Sequence, residues 1–364
     1  MAPLAATVLA TLTVGAIALA RDERDRRLTR ARRARERRFT LLDGEQPGDG
    51  MKRMALAQLD LAIELVQGEG DVPNEEAVHD TRKAIKRVRA LVRLMRDELG
   101  ERTFARENGA LRDVARRLAG ARDAEVMAST LDRLLEGHER GLARRPPVVA
   151  LRAQLAAERD QAARRGLGDA ATRDATLNEL YAVRARVATW SLSRQPGLRL
   201  AEPGLRRLYR QGRRRRGRAR RAKGRDTRAL HQWRKRVKDL RYAAQMLGLE
   251  ELAKRADDLQ ERLGDEHDLA LLAERVNAPD SPLAGGGRRR KRTRKGVLKL
   301  IARRRAGLRE QALREGRRLY KRKPKEFAKR ARKRFAKRAH KRFAKRAHKR
   351  LAHAKRGSNG AKRS

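Results

Sequence analysis

From Met51 onward, apolar residues fall at helical spacing: Met54, Leu56, Leu59, Leu61, Ile63, Leu65 and Val66, a run that the Gly68–Pro73 stretch breaks. Asn74 follows as a candidate N-cap, with Glu75 and Glu76 in the first turn, where the helix dipole favours acids. The next helix has Ile85, Val88, Val92, Met95 and Leu99 along its apolar side and is predicted to end near Gly100. Further helices are predicted over about 103–118, over the run Val126, Met127, Leu131, Leu134 and Leu135, and over 148–165 and 176–190. The spacing continues through Leu205–Arg221, through Trp233, Val237, Leu240, Ala244 and Leu247, through Leu252–Leu263, and through Gly296–Arg322. Arg144–Pro147 and Pro279–Gly287 interrupt it. The fold class is all-α.

Two of these helices carry the same polar face. His79, Arg82, Lys83, Lys86 and Arg89 obey the pattern H-x2-R-K-x2-K-x2-R, and it returns 152 residues later as His231, Arg234, Lys235, Lys238 and Arg241. At about 100° per residue, the five positions fall within an arc of roughly 120°, so each set forms one stripe about 15 Å long. Like charges at these spacings cost an isolated helix a few tenths of a kcal/mol per pair. A single such row is ordinarily a solvated face. Two rows in register imply a polyanion lying along them.

A second element repeats in the same order. Leu118-Ala-Gly-Ala-Arg-Asp123 aligns with Leu263-Gly-Asp-Glu-His-Asp268 as L-x3-[R/H]-D, each predicted as a turn after the helix that comes next to the stripe. These paired motifs resemble those of the CHAD family, the conserved-histidine α-helical domains. The second stripe, running on into Arg241-Tyr242, is the closer match, and His267 departs from the arginine usual at its position. The resemblance implies two pseudo-symmetric helical bundles enclosing a basic groove. It also implies inorganic polyphosphate as ligand, bound without catalysis. Gly316–Pro324 resembles the family's closing helix, which places the domain at 51–330, with halves of about 51–165 and 176–330.

Charge agrees with an anionic partner. Of 364 residues, 96 are Lys or Arg against 45 acids, a net +51. With five Phe, four Tyr and two Trp, few rings are available as stacking platforms for single-stranded nucleic acid. The absence of Cys excludes disulfides, thiolate metal sites and Cys nucleophiles. No P-loop, nucleophile elbow, HExxH or plausible carboxylate pair occurs, so neither an enzyme nor a cofactor is expected.

The ends are different in kind. Residues 1–20 carry no charge, and Arg21 begins an Arg-rich linker to residue 50. The first segment reads as a membrane anchor, a cleaved signal or a non-spanning start. The positive-inside rule would keep the chain from Arg21 onward in the cytoplasm, at the inner face of the membrane, and the resemblance implies polyphosphate granules as a further location. From Phe327, FAKRARKR, FAKRAHKR and FAKRAHKR run in tandem, and residues 327–364 hold 17 Lys or Arg and no acid. The eight-residue period turns by about 80° per repeat, which argues against one buried Phe stripe. Residues 331–364 are therefore expected to be a disordered basic tail.

Within the stripes, the arginines are suited to bidentate phosphate contacts and the lysines to point-charge contacts. His79 and His231 either donate to phosphate or fix helix packing. Arg93, Arg210, Arg213 and Arg214 extend the basic groove. Asp123 and Asp268 are read as structural, capping or salt-bridging a neighbouring cation. His340, His348 and His353 lack acidic or Cys companions and make a poor metal site. The rival function is a histone-like DNA-compacting protein acting through the tail; RNA or an anionic membrane surface are further candidate partners.

Overall fold

A computed structural model describes residues 39–68, 74–118, 120–137, 141–165, 169–195, 197–222, 226–338 and 340. Among them there is no strand. The helices are α1 (Pro47–Gln67), α2 (Asn74–Leu94), α3 (Arg96–Arg117), α4 (Gly120–Leu135), α5 (Pro146–Arg165) and α6 (Ala170–Ala188), then α7 (Glu202–Arg221), α8 (Thr227–Met246), α9 (Glu250–Asn277) and α10 (Arg288–Leu319). A further helix, α11, covers residues 324–338.

Local signals account for several of these boundaries. Gly68, at φ 80°, closes α1 with its N–H on the Glu64 carbonyl. The Asp226 carboxylate accepts the Ala229 N–H at 3.0 Å and caps α8. The break predicted near Gly100 is present, since that residue has φ 75° and ψ 161° inside α3. The straight part of the stripe helix nevertheless ends earlier, at Leu94.

The apolar sides pack as their spacing requires. Ile85, Val88, Val92, Trp233, Val237 and Leu240 are fully buried, which contributes roughly 1.5–3 kcal/mol for each aliphatic side chain. α1, α2, α3 and α6 pack together, α7 to α10 form a second group, and α2 meets α8 between the groups. The buried Glu107 carboxylate on α3 accepts from Arg186 of α6 at 3.0 Å, which ties α6 into the first group. A separate core lies where α4 and α5 meet the later part of α9 and the earlier part of α10, around Leu131, Leu151, Leu272 and Ile301.

Several expectations are corrected. The halves are not self-contained bundles: α6, assigned to the second half, completes the first group, and α4–α5 of the first half pack on α9–α10. The element Leu263–Asp268 is not a turn but lies inside the unbroken α9. Pro47–Gly50, assigned to the linker, forms the first turn of α1. Phe39 is fully buried with its ring edge-on to Tyr242 at 6.2 Å, and the Leu41 N–H donates to the Met246 carbonyl at 2.9 Å, so the core reaches back to residue 39.

The tail is ordered at its start. Phe327 stacks on Tyr209 at 3.8 Å between centroids, and Phe335 also packs on the core. An offset of about 80° still fits within an apolar face some 100° wide. Residues 341–364 and 1–38 lie outside the described residues, and with them the expectations placed there. No helix among the described residues is long and apolar enough to cross a membrane.

Candidate functional site

The two stripes are buried to the same degree, position by position. His79 and His231, Arg82 and Arg234, Lys86 and Lys238, and Arg89 and Arg241 are all half-buried, while Lys83 and Lys235 are both exposed. Equal burial at five matched positions is what a shared face on two similarly packed helices produces.

The matched arginines reach the other repeated element. Arg82 donates to the carbonyl of Leu118, which is accessible because α3 has just ended at Arg117. In α9 the aligned Leu263 lies within a continuous helix. There Arg234 lies across Gly264: a Cβ at that position would sit 3.2 Å from its guanidinium nitrogen. Farther along, Arg89 donates to the neutral Asn108 at 3.4 Å, whereas Arg241 pairs with Asp257 at 2.8 Å and covers the Tyr242 ring at 5.1 Å.

Where α2 meets α8, cations of both stripes converge. Burial holds the Arg89 guanidinium down at about 10; Arg93, Arg112 and Arg236 push the same way, and Asp239 opposes them. Lys235, though its side chain reaches solvent, is also lowered, by partial desolvation first and then by Arg236, Arg89 and Arg93. The buried Asp239 carboxylate accepts from Arg93 at 3.0 Å and pairs with Arg236 at 3.2 Å. Arg207 of α7 adds a bond from its guanidinium to the Arg93 carbonyl at 2.6 Å, near the C-terminal end of α2. Arg112 is held by its own acid, Asp113, at 3.0 Å, whereas Arg89, Arg93, Lys235 and Arg236 crowd around the single buried Asp239, an excess of positive charge that an anion would relieve.

At the start of the second stripe the His231 and His267 rings lie 4.3 Å apart. Burial first, then His267, Lys235, Arg234 and Lys238, hold His231 down at about 4, so its ring is neutral at pH 7. Behind it, the buried Glu266 carboxylate accepts from Arg305 at 3.0 Å and Arg309 at 2.8 Å, and Arg305 also donates to Thr227 Oγ1 at 2.9 Å. This clasp fixes the first turn of α8 against α9 and α10.

The remaining site residues divide. Arg93 belongs to the crossing, but Arg210, Arg213 and Arg214 lie exposed on α7, and Arg213 acts on Tyr209 and Arg216. Asp268 lies inside α9 and caps nothing; burial raises its carboxyl, against the opposing charges of Arg234 and His267. Asp123 falls in 120–125, whose side chains lie outside the described set. Among those extending the site, Arg112, Arg236 and Asp239 were missed. Asp239 was the legible one, as an acid set within a basic stripe.

The geometry defines an all-helical domain with two cationic helix faces meeting at a crossing where Arg89, Arg93, Lys235 and Arg236 outnumber the buried Asp239. The chain belongs to the CHAD domain family, whose sequence pattern matches residues 53–277. Among solved structures it is similar to the crystal structure of the CHAD domain from the plant Ricinus communis, at 20% identity and TM-score 0.52, covering 76% of this chain and 93% of that one. It is also similar to PptA from Streptomyces chartreusis, at 16% identity and TM-score 0.52, covering 76% of this chain and 99% of that one. Both likenesses are of fold. No curated protein sequence matches this chain.

Proposed function

We propose that the domain binds inorganic polyphosphate, without catalysis, along the two stripe helices. The observation that carries this reading is the crossing: Arg89, Arg93, Lys235 and Arg236 crowd together, with Asp239 as the acid that Arg93 and Arg236 share. A ligand with about one charge per phosphate and no bases needs only guanidinium forks and ammonium charges, and those are the groups the stripes present. Family membership supports the same ligand. The exposed residues of α11 and the chain beyond it would add affinity for any polyanion without selectivity.

The test is a competition with the full chain. Labelled long-chain polyphosphate is bound at physiological salt and challenged with duplex DNA at equal phosphate concentration. Salt dependence alone cannot separate the two ligands, because counterion release governs both. Retention of polyphosphate, and its loss in a variant with Arg82, Lys86, Arg234 and Lys238 changed to Glu, is the expected result. Free displacement by DNA, or loss of binding only when residues 341–364 are removed, would favour the histone-like reading instead.

A further inference from the structure

A hollow of about 600 Å³ opens between α11, the start of α9 and the end of α10, and neither stripe helix lines it. Leu249, Leu252, Phe327 and Ala331 contribute to an apolar lining, and arginines and Lys337 surround it. The volume falls within the ordinary range for small-molecule sites. Polyphosphate has no apolar part with which to use such a lining.

The acids at this hollow are already engaged. Glu251 pairs with Arg255 at 2.5 Å and with Arg334 at 2.9 Å, and Glu250 pairs with Arg338 at 3.5 Å. Arg318, Arg330 and Lys337 are exposed, and no ion pair engages them among the described residues. An occupant must therefore combine a substantial apolar body with an anionic end.

We propose that this hollow binds a single-chain amphipathic anion of the long-chain acyl carboxylate class. The chain lies against Leu249, Leu252, Phe327 and Ala331, and the head is held by Arg318 and Arg330. A double-stranded or polyphosphate anion satisfies the rim and leaves the lining bare. A neutral amphiphile does the reverse.

Calorimetric titration of the full chain with dodecanoate, kept below its micelle concentration, tests the proposal. One molecule is expected to bind per chain, with affinity falling up to about fourfold for each methylene removed across decanoate and octanoate. Dodecyl maltoside, with the same chain and no charge, should bind at least tenfold more weakly. Arg318→Glu with Arg330→Glu, at two exposed positions, should lose at least tenfold in dodecanoate affinity with an unchanged melting temperature. The stripe variant with four Glu should retain dodecanoate, which separates this site from the polyphosphate reading. Equal binding of acetate and dodecanoate, equal binding by the double variant, or uptake of many molecules per chain would overturn it. So would no dodecanoate binding at all alongside capture of an acidic amphipathic peptide.

Discussion

The two halves use one motif in two backbone settings. After the first stripe the chain bends at Gly100, ends α3 at Arg117 and restarts at Gly120; after the second, α9 runs unbroken from Glu250 to Asn277. The spacing reflects this: Arg89 to Leu118 is 29 residues and Arg241 to Leu263 is 22, a difference of seven, or about two helical turns. Each half still brings its stripe arginine to the L-x3-[R/H]-D element. A broken helix offers Arg82 a carbonyl, whereas the unbroken one makes room for Arg234 through Gly264. The same stripe position thus meets a free helix end in one half and a glycine within a helix in the other.

The sharpest way to test that comparison is at Asp239, whose aligned partner in the first stripe is Arg87. Asp239→Ala strands Arg93 and Arg236 without their acid and should cost about 3–5 kcal/mol in denaturant unfolding. Arg87→Ala removes, among its contacts, a bond to the neutral Gln58 at 3.2 Å and a contact over the Phe39 ring, and should cost about 1–3 kcal/mol. Equal costs would mean that the crossing is no more charged than the rest of the core.

Histidine titration separates the halves next. The folded value of His231, about 4, lies below its ordinary 6.5, so the unfolded chain binds more protons between those limits. Its contribution is complete above about pH 6.5 and is lost as pH falls toward 4. For a half-buried ring, screened by solvent, the loss should be of order 1–2 kcal/mol and should vanish in His231→Gln. In the first half, the residue aligned with His267 is Arg122, which cannot titrate in this range. Polyphosphate should raise the His231 value in an NMR titration; an unmoved resonance would make this histidine a packing residue alone.

The smallest effect is expected at Gly264. Replacing a glycine inside a helix with Ala usually gains roughly 0.5–1 kcal/mol, and the nearest atom to the new Cβ is the end of a flexible side chain. Gly264→Ala should therefore melt slightly higher while binding polyphosphate a few-fold more weakly, because Arg234 is displaced. A gain in stability with unchanged binding would remove Arg234 from the site.

Much of this is legible in the sequence. The stripes and their apolar backs come from periodicity, since a face that buries Val88 or Leu240 must turn Lys86 or Lys238 away from the core. Other features were not legible. Leu263–Asp268 contains a glycine that looks like a breaker, yet the glycine accommodates Arg234 within a helix that packing against α8 and α10 holds continuous. The order of α11 was missed because a period of eight residues suggests a drifting pattern, and only the ring of Tyr209 shows where Phe327 is seated.

By itself the sequence determined which residues share a helix face, because φ and ψ preferences and 3.6-residue periodicity act over a few neighbours. It likewise determined that the chain carries an excess of cations and repeats its basic helix. Tertiary structure decided which faces meet. The α4–α5 pair docks on α9 and α10, α6 closes the first group, and Arg89 comes within electrostatic reach of Lys235 across 146 positions of sequence. Those outcomes depend on how whole apolar surfaces fit together and on where buried charge finds its counter-charge, and neither is encoded in any short stretch of the chain.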